Sequence, residues 1–238
     1  MSNANSQLKH GKANYNIAID GPAGAGKSTI AKKLAKKLGF IYVDTGAMYR
    51  AMALYFLKHD IDASDQERIA TSCKEVDITI EYKNGEQFVI LNGENVNSLI
   101  RTEEVGNMAS ATSVHKAVRL KLVELQQELA RKENVVMDGR DIGTYVLPNA
   151  DLKIYLTASV KERARRRWTE LQEKGLVADR DEIERDIEER DNRDMNREFA
   201  PLKQAEDAIY LDSSELTIDE VVDKIMEYFN KIINDKEV

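Results

Sequence analysis

The 238-residue chain is poor in cysteine and in long apolar runs, and each shortage excludes a class of protein. Cys73 is the only cysteine, so neither an intrachain disulfide nor a cysteine-rich zinc site can form. No apolar run approaches the roughly 20 residues that a membrane-spanning helix needs, and no signal peptide is visible. These absences predict a cytoplasmic protein that does not contact a membrane.

Glycine and proline are also scarce, at 12 and 3 residues, which argues against a long linker between two halves. The formal net charge of −7 and the lack of interleaved aromatic and basic residues argue against nucleic acid as a partner. Residues 1–14 are polar and aperiodic, which is typical of a flexible tail or an expression remnant. We therefore expect one folded domain over residues 15–238, acting as a monomer.

From Tyr15 onward, short apolar runs alternate with helical patterns. After the first run, Ile30, Leu34 and Leu38 recur on one helical face, and a glycine at position 39 is suited to ending that helix. Capping boxes predict that two later helices begin at Ser159 and at Thr217. The apolar runs are YNIAID, FIYVD, VVMD, LKIYL and AIYLD. This alternation predicts a parallel β-sheet covered by helices on both faces.

Residues 76–97 interrupt the alternation. They contain two runs of alternating polarity joined through Asn84-Gly85, the strongest short hairpin signal, and Asn92-Gly93 marks a second turn. The pattern predicts a small antiparallel insertion in an otherwise parallel fold. Such an insertion could be a flap without function, or it could carry substrate contacts.

The segment GPAGAGKS, residues 21–28, matches G-x-x-x-x-G-K-[ST] between a predicted strand and a predicted helix, the context that identifies a P-loop. Its glycines let backbone N–H groups converge on phosphate oxygens, and the following helix N-terminus adds a positive dipole end. Lys27 is expected to reach the β- and γ-phosphates, and the Ser28 hydroxyl to ligate Mg²⁺. The segment therefore predicts a site for a nucleoside triphosphate.

Two further strings, VDTGAMYR and MDGRDIG, follow predicted strands. Open α/β sheets bind ligands at the carboxyl ends of their strands, so polar side chains in these strings are candidates for a second ligand. The side chains expected at this edge are Asp44, Thr45, Arg50, Asp138, Arg140 and Asp141.

Two arginine-rich segments, residues 188–202 and ERARRRW, each allow two interpretations. Each could be a solvated helix face carrying ion pairs. Each could also supply mobile cations that close over phosphates and exclude water, as a small-molecule kinase requires. If helical, the first segment places Arg190, Arg193, Asp194 and Arg197 on one stripe, and the second places Arg163, Arg166 and Arg167 at helical spacings.

A GTPase would need a guanine-reading N-K-x-D motif, and the nearest string, NKII, lacks the aspartate. A P-loop kinase for another small acceptor, such as shikimate or a different nucleotide, would share the P-loop. A nucleotide-dependent binding module or an RNA-associated protein would explain the basic clusters, but the acidic net charge counts against it.

In this order and spacing, the strings IAIDGPAGAGKST, VDTGAMYR, VMDGRDIGT, LQEKG and RDNRDMNREFAPL resemble the bacterial cytidylate kinases of the nucleoside monophosphate kinase family. The resemblance implies an α/β fold: a five-stranded parallel P-loop kinase sheet flanked by helices, with a small antiparallel β insertion in the monophosphate-binding region and a short helical lid. It implies that this region spans about residues 62–104 and the lid about residues 163–190. It also implies ATP-dependent phosphorylation of CMP and dCMP with Mg²⁺.

The resemblance assigns roles residue by residue. Arg50 and Arg140 would bind the CMP phosphate, and Arg193 would contact the transferring phosphoryl group. Thr45 stands where some members have serine, so its added methyl could crowd a deoxyribose contact. The expected catalytic residues are Lys27, Arg140, Asp141, Arg190 and Arg193.

The remaining assignments concern the two nucleotides. The expected ATP-binding residues are Gly21, Pro22, Ala23, Gly24, Ala25, Gly26, Lys27, Ser28, Thr29 and Arg167. The residues expected to read the cytosine are Ser110, Arg119, Asp194 and Arg197. The residues expected near the ribose are Thr45, Asp141 and Arg190. The other residues expected around CMP are Asp44, Arg50 and Arg140.

Overall fold

The structure, a computed structural model, describes residues 14–83 and 86–236. The strands in chain order are β1 (Asn16–Asp20), β2 (Ile41–Asp44), β3 (Ile78–Lys83), β4 (Glu86–Leu91), β5 (Glu94–Asn95), β6 (Val135–Gly139), β7 (Leu152–Thr157) and β8 (Ile209–Asp212). The helices are α1 (Lys27–Leu38), α2 (Thr45–Lys58), α3 (Gln66–Glu75), α4 (Glu103–Thr112), α5 (Lys116–Lys132), α6 (Val160–Glu173), α7 (Arg180–Asn196) and α8 (Ile218–Lys236). None of the helices in these ranges is long and apolar enough to cross a membrane.

The predicted five-stranded parallel sheet is confirmed, in the order β2-β6-β1-β7-β8. All of its neighbouring strands run parallel. The register aligns Asp20 at the end of β1 with Gly139 of β6, and Asp44 at the end of β2 with Asp138 of β6. Acidic residues from three strand ends therefore meet at the carboxyl edge of the sheet.

The two faces of the sheet carry separate hydrophobic clusters because side chains alternate along each strand. Ile17 and Ile19 of β1 pack with α1 and α8, including Leu34 and Phe229. Ala18 belongs to the opposite cluster, which is built largely on α2 and α5. The helices therefore cover both faces of the sheet, as the alternating sequence predicts.

The antiparallel insertion is confirmed as a three-stranded sheet in the order β3-β4-β5. The second turn has Asn92 at φ 49° and Gly93 at φ 83°, the left-handed conformations that a two-residue hairpin turn requires. The Asn84-Gly85 turn lies outside the described residues. Ile78, Val89 and Leu91 are buried in the same cluster as α2, so this sheet shares a core with the parallel domain.

The predicted helix boundaries hold with two differences. Gly39 ends α1 at φ 69°, and Thr217 and Glu220 form a reciprocal capping box at α8. Ser159 accepts from the Glu162 N–H at 3.2 Å, but the Glu162 carboxylate binds arginines of α6 instead of returning to Ser159. Helix α7 ends at Asn196, so the arginine at position 197 follows the helix instead of completing its stripe.

The predicted N-terminal tail falls outside the described residues except at its last position. The Asn14 side chain donates to the Arg131 carbonyl at 2.7 Å. Within the predicted tail, residue 14 therefore contacts the folded domain.

Candidate active site

A cleft of about 940 Å³ opens at the carboxyl edge of the parallel sheet. The P-loop and α1 form one end, and the start of α2, the end of β6 and α7 form the other. The predicted site residues that line it are Ala23, Gly24, Gly26, Lys27, Ser28, Thr29, Asp44, Thr45, Arg50, Ser110, Arg119, Arg140, Asp141, Arg167, Arg190, Asp194 and Arg197. Gly21, Pro22, Ala25 and Arg193 are not among the lining residues.

The P-loop backbone is shaped to bind an anion. Gly21 has φ 150°, and a Cβ at this position would lie 1.9 Å from the Leu156 carbonyl oxygen, so only glycine fits there. Gly26, at φ 86°, precedes α1 and provides no side-chain cap. The first N–H groups of α1 therefore have no side-chain acceptor at this position and can bind phosphate oxygens.

Lys27 is held inside this loop. Its side chain is buried, and Nζ donates to the Pro22 carbonyl at 2.7 Å. Burial, followed by the charge of Arg140, lowers the pKa of Lys27 well below its usual value. A phosphate anion in the loop would favour the charged form of this lysine.

Ser28 and Asp138 form the polar pair expected beside a metal–nucleotide complex. Ser28 Oγ donates to Asp138 Oδ2 at 2.8 Å, and Tyr42 donates to the other carboxylate oxygen at 3.0 Å. Burial, followed by the charge of Asp44, raises the pKa of Asp138 to about 6. A hydroxyl and a carboxylate are ligands that suit Mg²⁺. Within the described ranges, no cluster of three or more His, Cys, Asp or Glu could hold a metal ion, so the remaining ligands would come from phosphate and water.

At the other end of the cleft, buried arginines are held by aspartates. Arg119 forms a hydrogen-bonded ion pair with Asp141, and Arg197 Nη2 donates to the other oxygen of Asp141 at 3.2 Å. Arg140 Nε donates to Asp194 Oδ2 at 2.8 Å. Although burial opposes ionisation, Arg140 holds the pKa of Asp194 below its usual value. These pairs fix the guanidinium groups before any ligand arrives.

Arg190 differs from these arginines because it makes no hydrogen bond or ion pair within the described part of the chain. Its side chain opens onto the cleft. Reduced hydration between the cleft walls, and then the charges of Arg140, Arg50 and Arg193, lower its pKa to about 10. This mutual repulsion would be relieved by an anion bound among the guanidinium groups.

Thr45, Asp44 and Arg50 lie at the start of α2. The Asp44 carboxylate caps the helix by accepting from the Ala47 N–H at 2.8 Å and pairs with Arg50 at 3.2 Å. Thr45 Oγ1 donates to the Asp138 carbonyl at 2.7 Å. The Arg50 Nε atom is buried without a hydrogen-bond partner among the described residues.

Ser110 and Arg193 contact each other. Arg193 Nη1 donates to Ser110 Oγ at 2.8 Å, so this guanidinium lies beside α4 instead of among the residues that line the cleft. This contact joins a residue expected to read the base to one expected to act on the phosphoryl group.

Sequence reasoning left out several residues of the site. Asp138 was placed at the sheet edge but not among the binding residues, although its position after β6 could have included it. Tyr49 lines the cleft with its ring 5.6 Å from the Arg119 guanidinium carbon. Asp191 was also left out, and Arg163, expected to be a solvated or a mobile cation, instead forms a buried ion pair with it at 2.6 Å that contacts Ala23 of the P-loop from both sides. Ala23 is separated from Arg163 by 140 positions and from Asp191 by 168, so no local sequence pattern links them.

Comparison with known proteins agrees with this geometry. The model of the family described as cytidylate kinase matches residues 17–231. The chain is 53% identical over 221 residues to the cytidylate kinase of Caldicellulosiruptor bescii, covering 93% of this chain and 98% of that one. It is 52% identical to the cytidylate kinase of Lactobacillus gasseri, covering 90% and 94%. A solved structure of an uncharacterized protein from Eubacterium ventriosum is similar in fold, with a TM-score of 0.52, 13% identity, and coverage of 91% of this chain and 99% of that one.

Proposed function

The chain belongs to the cytidylate kinase family, and on this premise we propose how its cleft carries out the reaction. The enzyme transfers the γ-phosphoryl group of ATP to CMP and releases CDP and ADP. Family membership excludes two alternatives, a binding module and a shikimate kinase. The relatives that share about half of their residues with this chain, over nearly its whole length, are cytidylate kinases.

We propose that ATP occupies the P-loop end of the cleft. The N–H groups at the start of α1 bind its phosphate oxygens, and Lys27 leaves the Pro22 carbonyl to contact the β- and γ-phosphates. Mg²⁺, when bound with ATP between Ser28 and Asp138, supplies positive charge to the phosphate oxygens. Arg167, on the exposed face of α6, contributes a further cation at this end.

CMP then occupies the end formed by α2, β6 and α7. Arg50 and Arg140 bind its phosphate, and we add Arg190, which the resemblance placed near the ribose, because it lines the same end of the cleft. The Asp141 carboxylate orients the ribose together with Thr45. Ser110, Arg119, Asp194 and Arg197 contact the cytosine. The observation that carries this assignment is that Arg50, Arg140 and Arg190 line the same end of the cleft, and that Arg190 pairs with no acid among the described residues. A phosphate monoester dianion would balance this charge.

Transfer follows from positioning and charge, because phosphoryl transfer requires little covalent chemistry from the protein. The CMP phosphate lies in line with the γ-phosphoryl group, and Lys27 and the arginines stabilise the charge on the transferring oxygens. For Arg193 to join them, its guanidinium has to leave Ser110. We assign this closing movement to a lid of about residues 163–190. We assign the binding of the monophosphate to the insertion of about residues 62–104 and the elements that flank it.

Three finer assignments remain predictions. We propose dCMP as a second acceptor, although the resemblance implies that the Thr45 methyl group crowds a deoxyribose contact. A cytoplasmic location and a monomeric state are predictions from the sequence.

A coupled assay of ADP release with CMP, dCMP, UMP and AMP tests the proposal. We expect the highest kcat/KM with CMP, lower values with dCMP, and the lowest with AMP. If AMP or UMP is preferred, the assignment of Ser110, Arg119, Asp194 and Arg197 to cytosine is wrong.

A further inference from the structure

The inserted antiparallel sheet contributes no side chain to the cleft lining in its described part, yet it contacts a residue that does. Gln87 on β4 binds both backbone polar groups of Asp44. Gln87 Oε1 accepts from the Asp44 N–H at 2.9 Å, and Gln87 Nε2 donates to the Asp44 carbonyl at 3.2 Å. Because β2 is an edge strand of the parallel sheet, the amide of Gln87 takes the place that a neighbouring strand would occupy.

Gln87 is held in place by its own sheet. Asn97 Nδ2 donates to the Gln87 carbonyl at 2.8 Å, and Asn97 Oδ1 accepts from the Val89 N–H at 2.9 Å. Val89 is buried in the core shared with α2. The half-buried Gln87 side chain therefore extends from a rigid support towards the end of β2.

Asp44 connects this contact to the cleft. Its carboxylate caps α2 through the Ala47 N–H and pairs with Arg50 at 3.2 Å, and Arg101 Nη2 lies 3.9 Å from the same oxygen. A change in the Asp44 backbone would therefore move both the first turn of α2 and the Arg50 guanidinium.

We propose that Gln87 is a positioning residue for the acceptor phosphate: the inserted sheet orients Arg50 through the backbone and carboxylate of Asp44. This inference rests on the proposed assignment of Arg50 to the CMP phosphate. It gives the inserted sheet a role in positioning the acceptor that needs no contact between its described part and the ligand.

The test replaces Gln87 by Met, which keeps the length of the side chain and removes both hydrogen bonds. We expect KM for CMP to rise about 3- to 10-fold, the loss that one or two hydrogen bonds produce, with KM for ATP unchanged within about twofold. Gln87→Asn, which keeps the amide but shortens its reach, should give the same result. Glu86→Ala, on an exposed neighbour in the same strand, is the control and should leave both KM values unchanged.

A double-mutant cycle with Arg50→Ala separates this inference from the assignment on which it rests. If Gln87 acts through Arg50, Gln87→Met adds little to the KM for CMP once Arg50 is absent. If Arg50→Ala leaves KM for CMP unchanged, the proposed phosphate assignment fails. If Arg50→Ala raises it and Gln87→Met does not, or if the two effects simply multiply, the inference about Gln87 is overturned. Loss of the fold in both Gln87 variants also overturns it, because the residue is then structural.

Discussion

At the scale of single residues, the Lys27 side chain is buried but forms few hydrogen bonds. Among the described residues, its Nζ donates only to the Pro22 carbonyl of the P-loop, and burial lowers its pKa, so its charge contributes little to the folded state before ATP binds. We expect Lys27→Met to keep the melting temperature and to lower kcat by about 10²-fold or more, as expected for loss of a group that stabilises transition-state charge. Lys36→Met, on an exposed position of the same helix, should change neither. Near-normal kcat for Lys27→Met would contradict the assigned role.

Asp20 makes a pH-dependent contribution to stability. At the end of β1 it accepts from the Ile142 N–H at 2.8 Å and from the Gly143 N–H at 2.7 Å. Burial raises its pKa from 3.8 to about 7. Between these values the folded state keeps a proton that the unfolded state has released, so the contribution of Asp20 to the free energy of unfolding falls as pH rises.

Comparison with Asp20→Asn isolates this effect. The side-chain amide presents one donor group and one acceptor, as the protonated carboxyl does, but it does not ionise. The free energy of unfolding of the wild type should therefore fall relative to that of the variant as pH rises from about 4.5 to about 7.5, because only the wild type loses a proton. Urea unfolding of both proteins across this range measures the difference. A constant difference would mean that Asp20 ionises near its ordinary pKa in the folded protein.

At the scale of elements, a buried ion pair ties both helices of the α6–α7 hairpin to the P-loop. Asp191 of α7 accepts from the Ala23 N–H at 3.2 Å, and Arg163 of α6 donates to the Ala23 carbonyl at 2.9 Å. The two side chains pair at 2.6 Å, and both are buried. The position of the phosphate-binding loop therefore depends on the packing of two helices far away in sequence.

Removing one partner should affect both stability and ATP binding. Asp191→Ala leaves the buried Arg163 charge uncompensated, so we expect the free energy of unfolding to fall by about 3–5 kcal/mol. KM for ATP should rise more than KM for CMP, because Ala23 loses a contact that orients the P-loop. Chemical unfolding and steady-state kinetics measure the two effects, with Glu189→Ala on the exposed face of α7 as control. Equal changes in both KM values would show that the pair does not act on the P-loop in particular.

At the scale of the whole molecule, the arginine cluster makes stability depend on the acceptor phosphate. CMP at about 100 times its Kd should raise the free energy of unfolding by about 2.7 kcal/mol, or the melting temperature by about 5–10 °C. Cytidine, which lacks the phosphate, should raise it much less, and Arg50→Ala should reduce the effect of CMP. Thermal melts with the two ligands make this comparison. Equal shifts with cytidine and CMP would contradict phosphate binding by Arg50, Arg140 and Arg190.

Local patterns determined the architecture. The P-loop, the strand–helix alternation and the 76–97 insertion are each encoded by neighbouring residues, so the five-stranded sheet and the inserted sheet are both predictable. Most of the residues that the motif resemblance assigned to the site do line the cleft, including Ser110 and Arg119, which no local pattern marks.

Only the tertiary structure decided how these residues support one another. Ser28 and Asp138 are 110 positions apart, and Ala23 and Asp191 are 168 apart, yet each pair is hydrogen-bonded. Parallel strands need long crossover connections, so residues that meet at the sheet edge are distant in sequence. Packing decides which charges meet. Among the described residues Arg119, Arg140 and Arg197 pair with aspartates, whereas Arg190 pairs with no acid.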